Sequence, residues 1–386
     1  MYSRSLGMKS NYKQLGRYIC PVDVRNKGLV TTKLLGISVE KCFIPSIANI
    51  IGTDLEKYKI VRKGQFAYIP DTSRRGDKIA VALLREEECI ISSAYTAFEI
   101  IDTNELDPEY LMLWFSRPEF DRYARFHSHG SVREIFGWDE MCRVELPVPD
   151  IAKQKAIVQR INQCSAFISN KTELIAFYEQ SLQTLYKSYN FNCDNTAEGW
   201  ERCTIGDLCQ TIGGGTPSTD EPDYYEGGKI PWVTPTDVTR NKCLALLSPK
   251  GRITDLGLAH SSAKMVPPNT ILMTSRASVG FFAMCEQEVC TNQGFISCIP
   301  YRPELRMFLL CNLIDRVEEI RTLADGGATY SEISKKDFRA MEVLLPPASL
   351  LMDFESKANS IFSLIRSIRQ EIEAIKELRT VILSTL

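Results

Sequence analysis

The chain is written twice. Blocks of similar sequence recur in the same order about 190 to 205 residues apart, and a repeat of that period predicts two copies of one unit rather than a single enlarged core. YKQLGRYI (12–19) pairs with ERCTIGDLC (201–209), aligning Gly16 with Gly206. KIVRKGQFAYIP (59–70) pairs with AKMVPPNTILMTSR (263–276), each with a turn, Lys63-Gly64 or Pro268-Asn269, ahead of a strand-like run. IISSAYTAF (90–98) pairs with VCTNQGF (289–295), and PEYLMLWF (108–115) with PELRMFLL (303–310), where proline opens an apolar helix. The closing pair, SVREIFGWDEMCRVELPVP (131–149) and TYSEISKKDFRAMEVLLPP (329–347), keeps a constant offset of 198 and shares Glu134/Glu332, Ile135/Ile333, Asp139/Asp337, Leu146/Leu344 and Pro149/Pro347.

A long helix is expected after each closing proline. Asp150 and Ser349 suit N-caps, and neither Gly nor Pro interrupts residues 150–192 or 348–386. Ile161, Ile168, Ile175, Leu182 and Tyr189 recur every seventh residue, with Ile157, Cys164, Tyr178 and Leu185 between them. In the second helix the sets are Phe354, Ile361, Ile368, Ile375 and Ile382, with Leu364 and Leu378 between. One such stripe is an ordinary core face. Two of near-equal length, one after each copy, predict that the helices pack on each other over roughly 60 Å at 1.5 Å per residue. Lys171 and Glu371 interrupt the seams at equivalent positions. They are either a pair that fixes register or two solvated residues.

The expected fold class is therefore α/β: two similar domains separated by a pair of long antiparallel coiled-coil helices, related by a pseudo-two-fold internal repeat. The expected boundaries are 1–149, the helix 150–192, 193–347 and the helix 348–386. A globular domain at each end of a rod is the arrangement this predicts.

With 44% hydrophobic and 24% charged residues, the composition is that of a folded globular protein. No run of eighteen apolar residues occurs and the first residues lack the apolar core of a signal peptide, so cytoplasm is the expected location. Thirteen cysteines, with no CxxC, and three histidines, His127, His129 and His260, predict buried reduced thiols rather than a zinc site or a disulfide framework. Residues 1–192 carry 26 Lys and Arg against 23 Asp and Glu, the remainder 20 against 25. A nucleic-acid footprint would have to be local or shared with another subunit.

Sites that would make the chain an enzyme on its own are missing from the sequence. There is no GxxxxGK[ST] phosphate loop, and Gly213-Gly214-Gly215 runs into Thr216-Pro217 instead of opening a dinucleotide-binding helix. The glycines suit a flexible polar turn or a close approach to a DNA backbone. VTPTD (233–237) lacks the second proline and the aromatic of an adenine methyltransferase motif. Three scattered histidines suit surface or satisfied positions better than catalysis.

The whole chain resembles the specificity subunits of type I restriction-modification enzymes. The resemblance rests on the repeat, on LPVP/LLPP followed by a long helix, and on IGGGTPSTDEPDYYEGGKIPWVTPTDV (212–238), TSRASVG (274–280) and TNQGF (291–295). LLGISVEKCFIPS (34–46) and YIPDTSRRGDKIAVAL (68–83) match a common first-domain type. It implies two target recognition domains, each reading half of a split double-stranded DNA sequence. It also implies helices that dock two methylation subunits, with nuclease/translocase subunits joining, and no metal or cofactor in this chain: S-adenosylmethionine, ATP and Mg are expected on partner subunits.

Within that frame, candidate DNA-binding residues follow from residue type. Arg74 and Arg75, in a polar loop after Tyr68, can grip phosphate or guanine, or pair with Asp71 and Asp77. Thr274 and Arg276 occupy the equivalent region of the second copy. Asn292 and Gln293 carry amides suited to adenine or to capping a turn. Ser93, Tyr95 and Thr96 hold the matching place in the first copy, and Gly214, Thr216 and Thr234 lie in the glycine-rich and VTPTD stretches. Lys57, Lys59, Arg62 and Lys63 form a basic run that suits a DNA backbone or plain solvation. Two rival readings stay open: a self-sufficient DNA-modifying enzyme with a cryptic site, and an assembly scaffold without base readout.

Overall fold

The buried apolar runs at Phe66–Tyr68 and Ile271–Thr274 form inner strands of two sheets with the same strand order. The computed structural model describes residues 12–46, 52–73, 78–130, 133–191, 199–325 and 331–386. It divides into two compact units, residues 1–166 with 376–386, and residues 167–375.

In the first unit the strands are β1 (Tyr12–Gln14), β2 (Ile19–Val22), β3 (Val24–Arg25), β4 (Leu35–Ile37), β5 (Phe43–Pro45), β6 (Lys59–Arg62), β7 (Phe66–Tyr68), β8 (Val81–Leu83), β9 (Glu88–Ile91), β10 (Thr96–Ile100) and β11 (Glu145–Pro147). Its short helices are α1 (Pro108–Phe115), α2 (Pro118–Phe126) and α3 (Trp138–Arg143). One sheet runs β2-β10-β7-β8, a second β3-β6-β9, and β1 pairs with β11. Successive residues of a strand face opposite sides. Phe66, Tyr68, Val81 and Phe98 therefore meet Tyr110, Leu111 and Phe115 of α1, with Phe66 stacked on Phe98 at 5.0 Å between ring centroids. Ala67, Ala82 and Ala97 face the other way, toward Val61, Cys89 and Ile91, where small side chains let the two sheets approach.

The second unit repeats this plan. Its elements are β12 (Glu201–Thr204), α5 (Ile205–Leu208), β13 (Cys209–Gly213), β14 (Ile230–Val233), α6 (Pro235–Asn241), β15 (Gly251–Ile253), α7 (Asp255–Ala259), β16 (Met265–Val266), β17 (Ile271–Thr274), β18 (Phe282–Met284), β19 (Val289–Thr291), β20 (Phe295–Pro300), α8 (Arg306–Asp315), α9 (Val317–Asp325), α10 (Lys335–Ala340) and β21 (Glu342–Leu345). β13-β20-β17-β18 matches β2-β10-β7-β8, and β12-β21 matches β1-β11. The β15-β14-β19-β16 sheet also has its counterpart. β14 runs parallel to β19, as Leu34 beside β4 bridges Ile90 of β9 in parallel. The paired glycines serve one purpose: a Cβ on Gly16 would lie 2.8 Å from Cys142 Cβ, and one on Gly206 3.1 Å from Arg339 Nε. Each glycine lets the chain lie against the short helix of its own closing block.

The long helices are α4 (Ile151–Ser188) and α11 (Ala348–Ser384). Asp150 caps α4 by accepting from the Lys153 N–H at 3.0 Å. Ser349 is not a cap: α11 begins at Ala348, and the Pro347 carbonyl accepts from Leu350 and Leu351. In the second unit the two helices run antiparallel, Lys171 meeting Glu371 and Tyr189 meeting Asp353. In the first unit Leu383 and Leu386 pack into the cluster that holds Ile157 and Val158.

Ile161, Ile175 and Leu182 are buried, Ile168 partly so, and on α11 Ile368 is buried with Ile361 and Ile375 partly covered. The interleaved set on α11 differs from the expectation. Leu364 and Leu378 are about half exposed, while Leu351, Ala358, Ile365 and Ile372 are buried. The seam steps four residues on from Ile361 to Ile365, not three to Leu364. Pro303 departs too, opening a 3-10 turn (Pro303–Leu305) ahead of α8. Cys42 is exposed, unlike the buried thiols expected. Among the described residues no helix is long and apolar enough to cross a membrane.

Candidate nucleic-acid interface

β14 and β19 are parallel neighbours that end side by side at Val233 and Thr291, and crevices beyond the carboxyl ends of such strands are ligand-binding places in α/β sheets. Four polar segments gather there. The first is Gly213–Thr216 at the end of β13, where the Gly215 N–H donates to Thr291 O at 2.9 Å. The second starts at Thr234, whose N–H and hydroxyl both donate to Asp237 at 2.9 and 2.7 Å, a capping box that starts α6.

The third segment is the turn Asn292-Gln293-Gly294. Asn292 Oδ1 accepts from the Gly294 N–H at 2.9 Å, the Asn292 N–H donates to Val233 O at 3.0 Å, and the Ser275 N–H donates to Gly294 O at 2.8 Å. The fourth is Ser275-Arg276-Ala277, laced to Ser331–Ile333 by Ala277 N–H to Ser331 O at 2.9 Å and Ile333 N–H to Ser275 O at 3.1 Å. Ala277 takes a left-handed φ of 60° at this knot.

The edge so built is polar and partly cationic. Arg276 is half exposed, its Nε 3.5 Å from Glu332 Oε2, and Lys335 Nζ would lie 3.0 Å from a Cβ on Gly213. Thr216 and Gln293 are exposed and joined, the threonine hydroxyl donating to the amide oxygen. A half-exposed ion pair binds weakly, so Arg276 can exchange Glu332 for another anion.

The structure reassigns several of the residues proposed from sequence. Gly214 is required by packing: a Cβ there would stand 2.1 Å from the carbonyl oxygens of Thr291 and Asn292, so that side of the glycine lies against its own fold. Thr274 is fully buried, its hydroxyl donating to Ser278 O and accepting from the Phe281 N–H. It shapes the 274–281 loop and offers nothing to solvent. Tyr68 is fully buried as well, and burial pushes its phenol up to about 12. Arg74 and Arg75 lie outside the described residues.

In the first unit the matching edge carries Ser93, exposed, and Tyr95 and Thr96, both partly covered. Ser93 and Tyr95 lie in the turn after β9, closed by Tyr95 N–H to Ser92 O at 3.0 Å, and Thr96 opens β10. Lys59 of the basic run is tied into that turn, its Nζ donating to Tyr95 O at 2.8 Å. Asp71 bridges Ile135 much as Arg276 bridges Glu332, and Thr72 N–H to Glu134 O and Phe136 N–H to Pro70 O complete the same knot. Sequence reasoning singled out Glu134 and Glu332 as repeated residues but gave them no role. Each turns out to be the ion-pair partner of an arginine, Arg125 and Arg276 respectively.

Comparisons with known proteins agree with this geometry. Residues 197–374 match the family model described as the type I restriction modification DNA specificity domain. The type I restriction enzyme MjaIX specificity subunit of Methanocaldococcus jannaschii is 32% identical over 149 residues, which cover 38% of this chain and 34% of that protein. The EcoR124I/EcoR124II specificity subunit of Escherichia coli is 26% identical over 288 residues, 70% of this chain and 69% of that one. The chain thus spans about a third of the length of the first relative and about two thirds of the second. The crystal structure of the type I restriction-modification system S subunit from M. genitalium shares the fold, with a TM-score of 0.54 at 15% identity over 98% of this chain and 97% of that one. Repeat, fold and family model converge: residues 197–374 match the type I restriction modification DNA specificity domain, and the chain is similar to specificity subunits of type I restriction enzymes.

Proposed function

We propose that the chain recognises a bipartite double-stranded DNA target, one half through each unit, and performs no chemistry of its own. The observation that carries this reading is the fold repeat. Two sheets share one strand order while the loops at their edges differ, Asp71 standing in the first knot where Arg276 stands in the second. A common scaffold with different side chains at the same place is what two independent half-site readers need. Tyr68 and Thr274 drop out of the contact set on burial. The exposed or partly exposed Ser93, Tyr95, Thr96, Thr216, Thr234, Arg276, Asn292 and Gln293 stay in it.

Catalysis falls to partners. Two methylation subunits on the long helices would supply S-adenosylmethionine-dependent methylation of a flipped adenine, and nuclease/translocase subunits would supply ATP- and Mg-dependent cleavage. This chain would contribute the address, and work on cellular DNA places it in the cytoplasm. The test is a domain exchange. Replacing residues 199–347 with the corresponding segment of another specificity subunit should change one half of the methylated sequence and leave the other intact. If both halves change, or neither does, the two-reader function is wrong. Methylation by the rigorously purified single chain would overturn the assignment of catalysis to partners.

A further inference from the structure

We infer that Gln293 reads an adenine in the major groove and that Thr216 is the positioning residue that holds its amide for the task. This rests on the DNA-reading function proposed above. Gln293 sits at the tip of a turn fixed on both sides: by Asn292 N–H to Val233 O, and by Ser275 N–H to Gly294 O. Gly294 itself cannot carry a side chain without change, since its Cβ would fall 2.9 Å from Pro235 Cγ. The backbone that presents the amide is therefore rigid.

The opposing loop is just as firmly seated. Gly214 and Gly215 pack so closely on Thr291, Asn292 and Ser262 that a Cβ on either would lie within 2.3 Å of one of them, and Trp232 Nε1 donates to Gly215 O at 3.0 Å. Thr216 follows at once, exposed, with its hydroxyl on Gln293 Oε1. A solvent-exposed glutamine ordinarily samples many rotamers and loses that freedom on binding. Here a threonine on an immobile loop has already removed much of it.

The chemistry selects the base. A carboxamide accepts from the adenine N6 amino group and donates to N7, whereas guanine offers two acceptors, O6 and N7. With Thr216 on one lone pair of Oε1, the second lone pair is left for N6 and the amide nitrogen for N7. A guanine would set O6 against Oε1. An amide released from Thr216 can turn its nitrogen toward O6 instead, so the contact guards discrimination between adenine and guanine more than affinity.

The experiment is selection from a pool of randomised duplexes by the full chain, alone and assembled with the methylation subunit of its own system, for wild type, Gln293→Ala, Thr216→Val and Thr216→Ser. Wild type is expected to prefer adenine at one position by about tenfold or more. Gln293→Ala should abolish that preference at that position alone. Thr216→Val should reduce it about threefold or more by admitting guanine, and Thr216→Ser should retain it. Thermal midpoints should be unchanged for all three, because both side chains are exposed. An unchanged profile for Gln293→Ala, or a uniform loss across sequences with a shallower salt dependence, overturns the base contact. A normal Thr216→Val profile beside an altered Gln293→Ala profile overturns the positioning role. If wild type selects no sequence in either form, DNA reading itself fails and this assignment with it.

Discussion

Lys171 Nζ on α4 lies 2.7 Å from Glu371 Oε2 on α11, an ion pair that ties the two long helices together within the second unit. It sits at the edge of the seam, not inside it, with the side chains 27% and 45% exposed. Exposed pairs contribute about 0 to 1 kcal/mol. Lys171→Ala and Glu371→Ala should each lower stability by no more than that, and a double-mutant cycle should return a coupling of about 0.5 kcal/mol. Lys171→Glu places two carboxylates together and should cost more than either alanine, with Glu371→Lys in the same chain recovering the loss. Denaturant unfolding of the five variants checks this; no recovery in the charge-swapped chain would mean that the contact does not form in solution.

A second tie, from Tyr189 just past the end of α4 to α11, is pH-dependent. Asp353 accepts from Lys357 at 2.7 Å and from the Tyr189 hydroxyl, and these bonds hold its carboxyl below the ordinary range. Asp353 in turn, followed by Tyr189, raises Lys357 to about 12. A depressed carboxylate stabilises above its unfolded value and ceases to as pH falls through the folded one. A raised lysine stabilises below its unfolded value and ceases to as pH climbs through about 12. The clip is thus fully present between about pH 4 and pH 10. Asp353→Asn should melt lower than wild type across that window, and the two melting curves should converge in acid. A gap of constant size from pH 2 to pH 7 would show that Asp353 does not titrate against these partners.

Gly214→Ala places a methyl group 2.1 Å from two backbone oxygens, neither of which can move without disturbing β19. Overpacking of this kind should cost at least about 2 kcal/mol. Gly227 is the control: its φ is 71° and nothing stands within 4 Å of its would-be Cβ, so Gly227→Ala meets only left-handed backbone strain of about 1 kcal/mol. Equal melting points for the two variants would refute the close approach at Gly214.

The repeat was legible because its closing block keeps one offset, although the structure shifts that alignment by one residue, Val144 O accepting from Leu15 where Met341 O, not Glu342 O, accepts from Ile205; the same symmetry foretold two matching units and two long helices. The first seam was legible because its apolar residues alternate by three and four, except near its end, where Tyr186 is buried and Leu185 only partly covered. The second was misread at Leu364 because residues three and four ahead of Ile361 both adjoin it on a helix, and Leu364 and Ile365 are both apolar. Only packing separates them. The site was harder. Tyr68 and Thr274 are strand-end residues whose burial depends on which strand lies beside them, and the Thr216 hydroxyl finds Gln293 across 77 positions of chain. A polar side chain that caps a turn and one that faces solvent have the same letter; only their contacts in the fold tell them apart.

Arg276 offers the sharpest test of the second unit as a reader. Its guanidinium is half exposed and shared only loosely with Glu332 at 3.5 Å, while its backbone is pinned by the hydrogen bonds that flank it at Ser275 and Ala277. A pinned backbone carrying a releasable cation suits either a guanine edge or a phosphate, and the two leave different signatures. A bidentate guanine contact makes Arg276→Ala relax one target position at about 1 to 3 kcal/mol, and lysine, lacking the planar fork, rescues it poorly. A phosphate contact makes the same change weaken all sequences alike and lowers the salt slope by about one, and lysine rescues it well. Because Asn292 and Gln293 already supply amides to the same edge, we expect Arg276 to relax one position, with Glu332→Gln raising affinity for the unchanged target by freeing the guanidinium. Binding isotherms at several salt concentrations, against the target and its single-base variants, separate these outcomes; wild-type affinity, specificity and salt slope in Arg276→Ala would leave this arginine a structural partner of Glu332 alone.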